Sequence, residues 1–569
     1  MIYDLCILGG GQSGLVTLKT FSEKTSNIIL LEKCNGCVGL FANIKENQMF
    51  KWSTSRYMSG FSDFPIPKDV PVWFTIKDYV KYLESYKHHF DLEQYIHYNS
   101  HVNKCSQDEN KNWVIEYNTT KLICKKLIVC TGLNQTKKYP EIIKDFYGEV
   151  IHTDDVYRQM DRNDWGNKFS GKRILLLGGA ESAYDIGHVL VQYTDQLYYA
   201  TKNYTEWFPK GEEEPEVVER IKKIDDKCLN NVYSHGETNT AVAFKNPTDT
   251  QLNYVEYSLP EPMSEFWHEH GRKIIHTAIK MDCGKCTHQH TKLCNMTKTP
   301  DNLFKKYVVK RTDFMLDIYE NKVELIQYPD KINGTTVYTK EETIENIDII
   351  VCASGYKKEF PFLEDTVWKG EFIKKMLPVN YTNIAFIGYA RPTMGSIAAV
   401  AEMQGWWIEK YFNDPSFTYK INKPVFRTVD PLNLSNEHIN TVVIGCYYLK
   451  DVAKDLRIEP NMWYLLLTDF ELFFRIYSGS CHPMMYRIHG YKSYNGSRKV
   501  LLDTYFPVEE RGPIEWKYFI FNNLLHLGFI LFLFILGFIS VYIMNKNNIN
   551  VQPSIVVSGI LVIFFYIFF

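Results

Sequence analysis

Gly9, Gly11 and Gly14 follow directly on the apolar run Leu5–Leu8 in the stretch YDLCILGGGQSGLVTLKTF. Glycines at this spacing bring bare backbone against a phosphate. The first permits a tight turn, the second lets the main chain approach a pyrophosphate, and the third lets a helix pack closely on its strand. The helix N-terminus then offers N–H groups and the positive end of its dipole to the anion. The next apolar run, NIILLEK, ends in Glu32, 18 residues beyond Gly14. A carboxylate there accepts from a ribose hydroxyl and repels a 2′-phosphate, which points to FAD or NAD at this turn.

The chain repeats the device in RILLLGGAESAYDIGHVL, with Gly178 in the first place and Ala180 and Ala183 where the second and third glycines stood. Alanine keeps the turn small but widens the approach of helix to pyrophosphate. The following strand, DQLYYATK, ends without an acid, and Lys202 comes close behind it. A cation at that place suits the 2′-phosphate of NADP. Two nucleotide sites on one chain imply electron transfer between two cofactors.

The elements that must position these turns are strand, turn and helix units of an α/β fold. KKLIVCTG ends a buried strand at Cys130-Thr131-Gly132, where a small residue and a glycine can approach FAD. NIDIIVCASGY repeats the form from Asp348 to Tyr356 and is expected to return the chain to the first unit. The architecture expected is two dinucleotide-binding Rossmann-like domains, the NADP domain inserted into the FAD domain. The bounds are an FAD domain first part at 1–164, an NADP domain at 165–345 with a loop region at about 210–300, and an FAD return segment at 346–445. A C-terminal cap at 446–520 follows.

With 569 residues the chain buries substantial cores. A formal net charge of -2 draws it to no nucleic acid, and its 13 cysteines are odd in number and scattered, unlike a disulfide framework. A first strand at Tyr3 leaves no room for a cleaved signal peptide, so a reducing cytosolic setting is expected. Leu524–Met544 carries one His and no Asp, Glu, Lys or Arg over 21 residues, a length that suits a bilayer core. A second apolar segment, 555–569, is short for a full crossing. Arg511 and Lys517 before the first segment, against Lys546 after it, place the body on the cytosolic side of a membrane anchor, in a eukaryote the endoplasmic reticulum.

These blocks together resemble a known family. YMSGFSDFPIPKDVPVWFTIKDYVKYLESYKHHFDL, GLF at Gly39–Phe41, IHTDDV at Ile151–Val156, FIGYARPTMGSIAAVAEMQGWW at Phe386–Trp407 and YRIHGYKSYNGSR at Tyr486–Arg498 are similar to flavin-containing monooxygenases. The resemblance covers residues 2 to 515 and extends to the hydrophobic tail of membrane-type members. It implies hydride transfer from NADPH to FAD, reaction with molecular oxygen to a C4a-hydroperoxide, and attack on it by a soft nitrogen or sulfur of a small lipophilic amine or sulfide. An uncoupled NADPH oxidase, Baeyer–Villiger oxygenation of ketones and a non-enzymatic membrane scaffold are the alternatives. Nothing in the sequence excludes a homo-oligomer.

The resemblance also marks departures. Ser53 stands where the family commonly has an asparagine near the reacting edge of the flavin, and is the catalytic candidate. Ser354 replaces a threonine, Trp406 an arginine, and Lys202 an arginine in the NADP strand, with Glu402 and Gln404 retained. The residues expected to contact cofactor are Gly9, Gly11, Gln12, Ser13, Gly14, Glu32, Gly39, Leu40, Val102, Thr131 and Gly132. The same role is expected of Gly178, Ala180, Glu181, Ser182, Ala183, Lys202, Ser354, Gly355 and Gln404.

Two cysteine clusters complete the inventory. Cys34 and Cys37 follow Glu32 closely, nearer the adenosine end of a flavin than its ring, and read as loop cysteines rather than a redox pair. Cys283, Cys286, His288, His290 and Cys294 have spacing for a zinc knuckle, compressed after the first pair. A polar, solvent-facing loop is the simpler reading of them, with a structural metal or a redox dithiol as alternatives.

Overall fold

The computed structural model describes residues 2–36, 39–41, 50–202, 206–207, 215–223, 308–309, 312–392, 395–419, 442–443, 445–479 and 481–504, with 535 and 539. Strand β1 (Ile2–Leu8) pairs in parallel with β2 (Ile28–Leu31) on one side and β6 (Thr120–Val129) on the other. Both faces are covered, so Leu5, Cys6, Ile7 and Leu8 are all buried and the strand reads as a continuous apolar run. Strand β3 (Ile96–His97) extends the sheet beyond β2, while β4 (Val102–Gln107) and β5 (Trp113–Tyr117) join β6 as an antiparallel meander.

Helix α1 (Gln12–Ser22) crosses the sheet beneath a Gly11 N-cap that supplies no side-chain acceptor. Helix α2 (Ile76–His89) begins in a capping box, Thr75 Oγ1 accepting from the Asp78 N–H and Asp78 Oδ2 from the Thr75 N–H. Its buried residues Ile76, Tyr79, Tyr82, Leu83 and Tyr86 recur at three and four positions, which makes one apolar face, the last four against the first core and Ile76 against the second.

After β6 the chain crosses to a second sheet through the short strand β7 (Thr136–Lys137). The second sheet is parallel throughout and contains β8 (Glu149–His152), β9 (Arg173–Leu177), β10 (Gln196–Ala200), β11 (Glu324–Leu325) and β12 (Ile349–Cys352). Its spatial order is β11, β10, β9, β12, β8. Helix α3 (Glu181–Val191) follows β9. The return crossing carries β13 (Tyr356–Lys357), which pairs antiparallel with β7, and β14 (Ile384–Phe386) then rejoins the first sheet beside Leu127–Val129. The second unit is thus inserted between two neighbouring strands of the first.

Two expected bounds need correction. Strands β8 and β12 fall outside the span 165–345, yet both belong to the second sheet, and residues 348–356 do not return the chain to the first unit. The chain rejoins the first sheet only at β14. The four buried residues of β12 fit the centre of either sheet, and it is hydrogen bonding to β8 and β9 that assigns them.

Helices α4 (Ile397–Asn413), α5 (Gly445–Leu456), α6 (Met462–Thr468), α7 (Phe470–Ser478) and α8 (Ser497–Thr504) form the C-terminal layer. Their buried residues, among them Trp406, Trp407, Tyr448 and Leu465, share one core with α1 and α2, so the described residues 446–479 and 481–504 form no separate body. No helix among the described residues is long and apolar enough to cross a membrane. The segments 524–544 and 555–569 lie outside the described residues, Ile535 and Ile539 excepted, and so do Cys283, Cys286, His288, His290 and Cys294.

Candidate functional site

The first turn is built to exclude side chains. Gly9 has φ +97, and a Cβ on it would lie 2.8 Å from the Cys130 carbonyl oxygen. A Cβ on Gly14 would lie 1.8 Å from the Gly9 carbonyl oxygen, inside any contact distance. Gly11 and Gly39 face each other backbone to backbone, a Cβ on either falling 3.3 to 3.4 Å from the other's Cα. Leu40 follows Gly39 in the same helical turn. This bare-backbone cradle, at the head of a helix without a side-chain cap, fits the pyrophosphate of a dinucleotide.

Glu32 sits where the ribose test requires it. It is buried at the end of β2 and accepts from the Gly10 N–H at 2.5 Å and the Cys34 N–H at 2.8 Å, one bond to each carboxylate oxygen. Each oxygen retains a lone pair for a hydroxyl. Val102 stands two residues after Ser100, whose N–H donates to the Glu32 carbonyl. The Cys34 thiol is pushed up by burial and then by the Glu32 charge, the wrong direction for thiolate chemistry.

Ser53 is exposed. Its neighbour Trp52 donates its N–H to the Phe74 carbonyl and packs its ring 4.3 Å from that of Tyr79, whose hydroxyl donates to Gln12 Oε1 at 2.6 Å. The Ser53 segment is thereby tied to the first turn of α1. Thr131 and Gly132, at the end of β6, complete this edge, with Thr131 Oγ1 3.0 Å from the buried Tyr389 hydroxyl and Gly132 at φ +77.

The second turn copies the first. Gly178 has φ +139, and a Cβ there would lie 2.3 Å from the Ala353 carbonyl oxygen, as Gly9 meets Cys130. Gly178 N–H donates to the Ala200 carbonyl as Gly9 N–H donates to Leu31. Ala180 caps α3 in extended conformation, Glu181 and Ser182 open the helix, and Ala183 is buried in the second core. Lys202, exposed just beyond β10, holds its ammonium 4.8 Å from the centre of the Tyr328 ring. No carboxylate of the Glu32 kind ends this strand.

Three expected cofactor residues are engaged in hydrogen bonds within the protein. The Ser354 hydroxyl donates to the Lys138 carbonyl, and Gly355, at φ +73, accepts at its carbonyl from Lys138 N–H and from His152 Nε2. His152 Nδ1 accepts from the Asp154 N–H, so the ring is neutral with its proton on Nε2, and burial lowers its pKa in agreement. Gln404 is fully buried. Its Oε1 accepts from Gly388 N–H at 2.8 Å and its Nε2 donates to Tyr448 at 2.8 Å.

Sequence reasoning passed over Gly388 and Arg487. Gly388 carried a usable signal, a third glycine after an apolar strand, in IAFIG. Arg487 carried none. It lies over the Trp406 ring at 5.2 Å and reaches Glu402 and Asp63 at 3.6 and 3.5 Å. Burial, then the nearby Asp63 charge, raises Glu402 to about 7, while Ser62 donates both its N–H and hydroxyl to that carboxylate.

The family model for flavin-binding monooxygenase-like proteins matches residues 3–213 and 318–511. The chain belongs to this family. It is a flavoprotein monooxygenase that takes FAD and NADPH. It is 26% identical to chimpanzee dimethylaniline monooxygenase [N-oxide-forming] 2, over 88% of this chain and 91% of that one. It is 25% identical to a 4-hydroxybenzoate brominase (decarboxylating) of Marinomonas mediterranea, over 80% of this chain and 84% of the relative. An oxidised steroid monooxygenase bound to NADP shares the fold with TM-score 0.55 at 15% identity, over 80% of this chain and 97% of that one.

Proposed function

We propose that this flavin monooxygenase oxygenates a soft nucleophilic nitrogen or sulfur of a small lipophilic substrate, using NADPH and molecular oxygen. The observation that carries the reading is the pair of matched turns with opposite strand ends, the buried carboxylate Glu32 at one and the cation Lys202 at the other. That asymmetry sorts FAD to the first turn and NADPH to the second. The N-oxide-forming activity in the name of the chimpanzee relative supports nitrogen as the acceptor.

Bound FAD, reduced by NADPH, supplies the oxygen-activating chemistry. The protein's share is binding, orientation and exclusion of water. Gly9, Gly11, Gly14 and Gly39 hold the pyrophosphate by backbone, Glu32 accepts from the ribose, and Lys202 pairs with the 2′-phosphate of NADPH. Ser53 would offer one hydroxyl at the reacting edge, shorter than the carboxamide the family commonly places there and with a single donor. This departure favours a second reading, release of hydrogen peroxide without oxygenation of a substrate.

The experiment is product analysis with a tertiary amine, a sulfide and a cyclic ketone, alongside hydrogen peroxide and NADPH consumption. N-oxide or sulfoxide matching NADPH use supports the proposal. Ester from the ketone moves the reading to Baeyer–Villiger oxygenation, and stoichiometric peroxide with every substrate moves it to an oxidase.

Membrane anchoring through residues 524–544, with the body on the cytosolic side, belongs to the same proposal. Trp463, Tyr464, Leu467 and Phe470 support it, since they fall within eight positions of α6 and α7 and are 39%, 61%, 82% and 64% exposed. Aromatic and apolar side chains of this kind suit a lipid headgroup boundary. Retention in the membrane fraction after alkaline carbonate washing tests the anchor.

A further inference from the structure

The Gly388 turn is pressed against the first nucleotide helix. Gly388 has φ +87, and a Cβ on it would lie 2.2 Å from Ser13 Oγ, in the first turn of α1. The Gly388 N–H donates to Gln404 Oε1, Gln404 Nε2 donates to the Tyr448 hydroxyl, and Tyr448 donates in turn to the Lys374 carbonyl at 2.7 Å. Burial raises the Tyr448 phenol far above its ordinary range, so it remains a donor.

A second route joins the same elements. Lys374 and Lys375 both have positive φ, +47 and +59, which side-chain-bearing residues rarely adopt. The Lys374 ammonium, almost fully buried, is held by Asp451 and by Asp455 at 3.0 Å, both on α5. Two residues on, the Met376 carbonyl accepts from Phe386 N–H at the end of β14, two residues before Gly388. Helix α5 therefore reaches the Gly388 turn through a side-chain chain and through the strand that leads into it.

We propose that Tyr448, Lys374 and Gln404 are positioning residues that let helix α5 set FAD affinity by fixing the Gly388 turn against Ser13. None of the three need touch FAD. The inference rests on FAD occupying the first turn.

The test measures FAD affinity by flavin fluorescence, and the visible circular dichroism of bound flavin, in the full-length protein. Tyr448→Phe keeps the ring and removes the hydroxyl, which leaves Gln404 Nε2 and the Lys374 carbonyl without it. A loss of about tenfold in FAD affinity is expected, with an altered flavin circular dichroism. Leu449→Ala, one position along the same helix, opens a cavity in the core without touching the relay. It is expected to lower the thermal midpoint at least as far and to leave FAD affinity within about twofold.

FAD loss in Tyr448→Phe alone supports the relay. Unchanged FAD affinity in Tyr448→Phe, or equal losses in both variants, overturns it. Should Tyr448→Phe fail to fold, Gly388→Ala and the double variant Gly388→Ala with Ser13→Gly decide. FAD weakened in the first and partly restored in the second supports the contact, and equal affinity in the two overturns it. A wild-type protein that binds no FAD would instead overturn the assignment of the first turn.

Discussion

The two nucleotide turns share a backbone plan and differ in how tightly it is enforced. Gly9 and Gly178 both close against the residue just past the end of a neighbouring strand, Cys130 in one case and Ala353 in the other, and both of those residues lead into a glycine with φ near +75, Gly132 at +77 and Gly355 at +73. In the first turn the third fingerprint position admits no side chain, because a Cβ on Gly14 would overlap the Gly9 carbonyl. In the second the same position is an alanine whose methyl packs in the core. A permanent cofactor suits the tight turn, and one that comes and goes each cycle suits the looser.

The strongest way to break this comparison is to exchange the third residues. Gly14→Ala should abolish FAD retention, read as flavin absorbance of the purified protein. Ala183→Gly should leave both cofactors bound and cost about 1 kcal/mol in urea unfolding, since glycine in a helix loses more chain entropy. If Gly14→Ala keeps its flavin, the two turns do not differ in the way proposed.

Next in size, Glu32→Ala should weaken FAD by one to two orders of magnitude, about what hydrogen bonds to a charged group contribute. The Cys34 N–H and the Gly10 N–H lose their acceptor as well. Equal weakening of NADPH would deny that the acid belongs to the first turn only.

A smaller and more selective effect is expected at the second strand end. Lys202→Ala should raise KM for NADPH by about fivefold with little change for NADH, because an exposed lysine contributes about 1 kcal/mol to a phosphate contact. The same rise for both cofactors would remove Lys202 from the 2′-phosphate.

The smallest effect is one of pH. His152 supports Gly355 only as a neutral ring, and burial holds its pKa below the ordinary 6.5. Its contribution is full above pH 6.5 and is lost as pH falls through the lower native value, the sign expected when the unfolded state takes up the proton first. Lys137, Asp154 and Asp155 are the charged groups that act on the ring. NADPH affinity should therefore fall a few-fold on acidification while FAD stays bound, and His152→Asn should flatten that profile. A profile unchanged in the variant would show that His152 is not the group responsible.

What the sequence disclosed follows the same contrast. Gly9, Gly11, Gly14 and Glu32 were legible because each meets a local demand, a turn, an approach or a strand end, and that demand selects a residue type at fixed spacing. Strand β12 was legible as a buried strand but not as a member of the second sheet, because four apolar residues record coverage of both faces and not the identity of the neighbours. Gln404 was singled out, yet its partners, Gly388 and Tyr448, lie 16 and 44 positions away and are joined to it only by folding. The cluster of Glu402, Asp63 and Arg487 was hidden for the same reason.

The pairing of β7 with β13 has a consequence for how such an enzyme can be rebuilt. Entrance to and exit from the second unit run side by side, Lys137 against Tyr356 and Thr136 against Lys357, and are fastened by the Ser354 hydroxyl on Lys138. A module whose two cut points lie together can be exchanged as a cassette between related proteins without stretching the host, and the natural splice points here are the ends of that two-stranded strap.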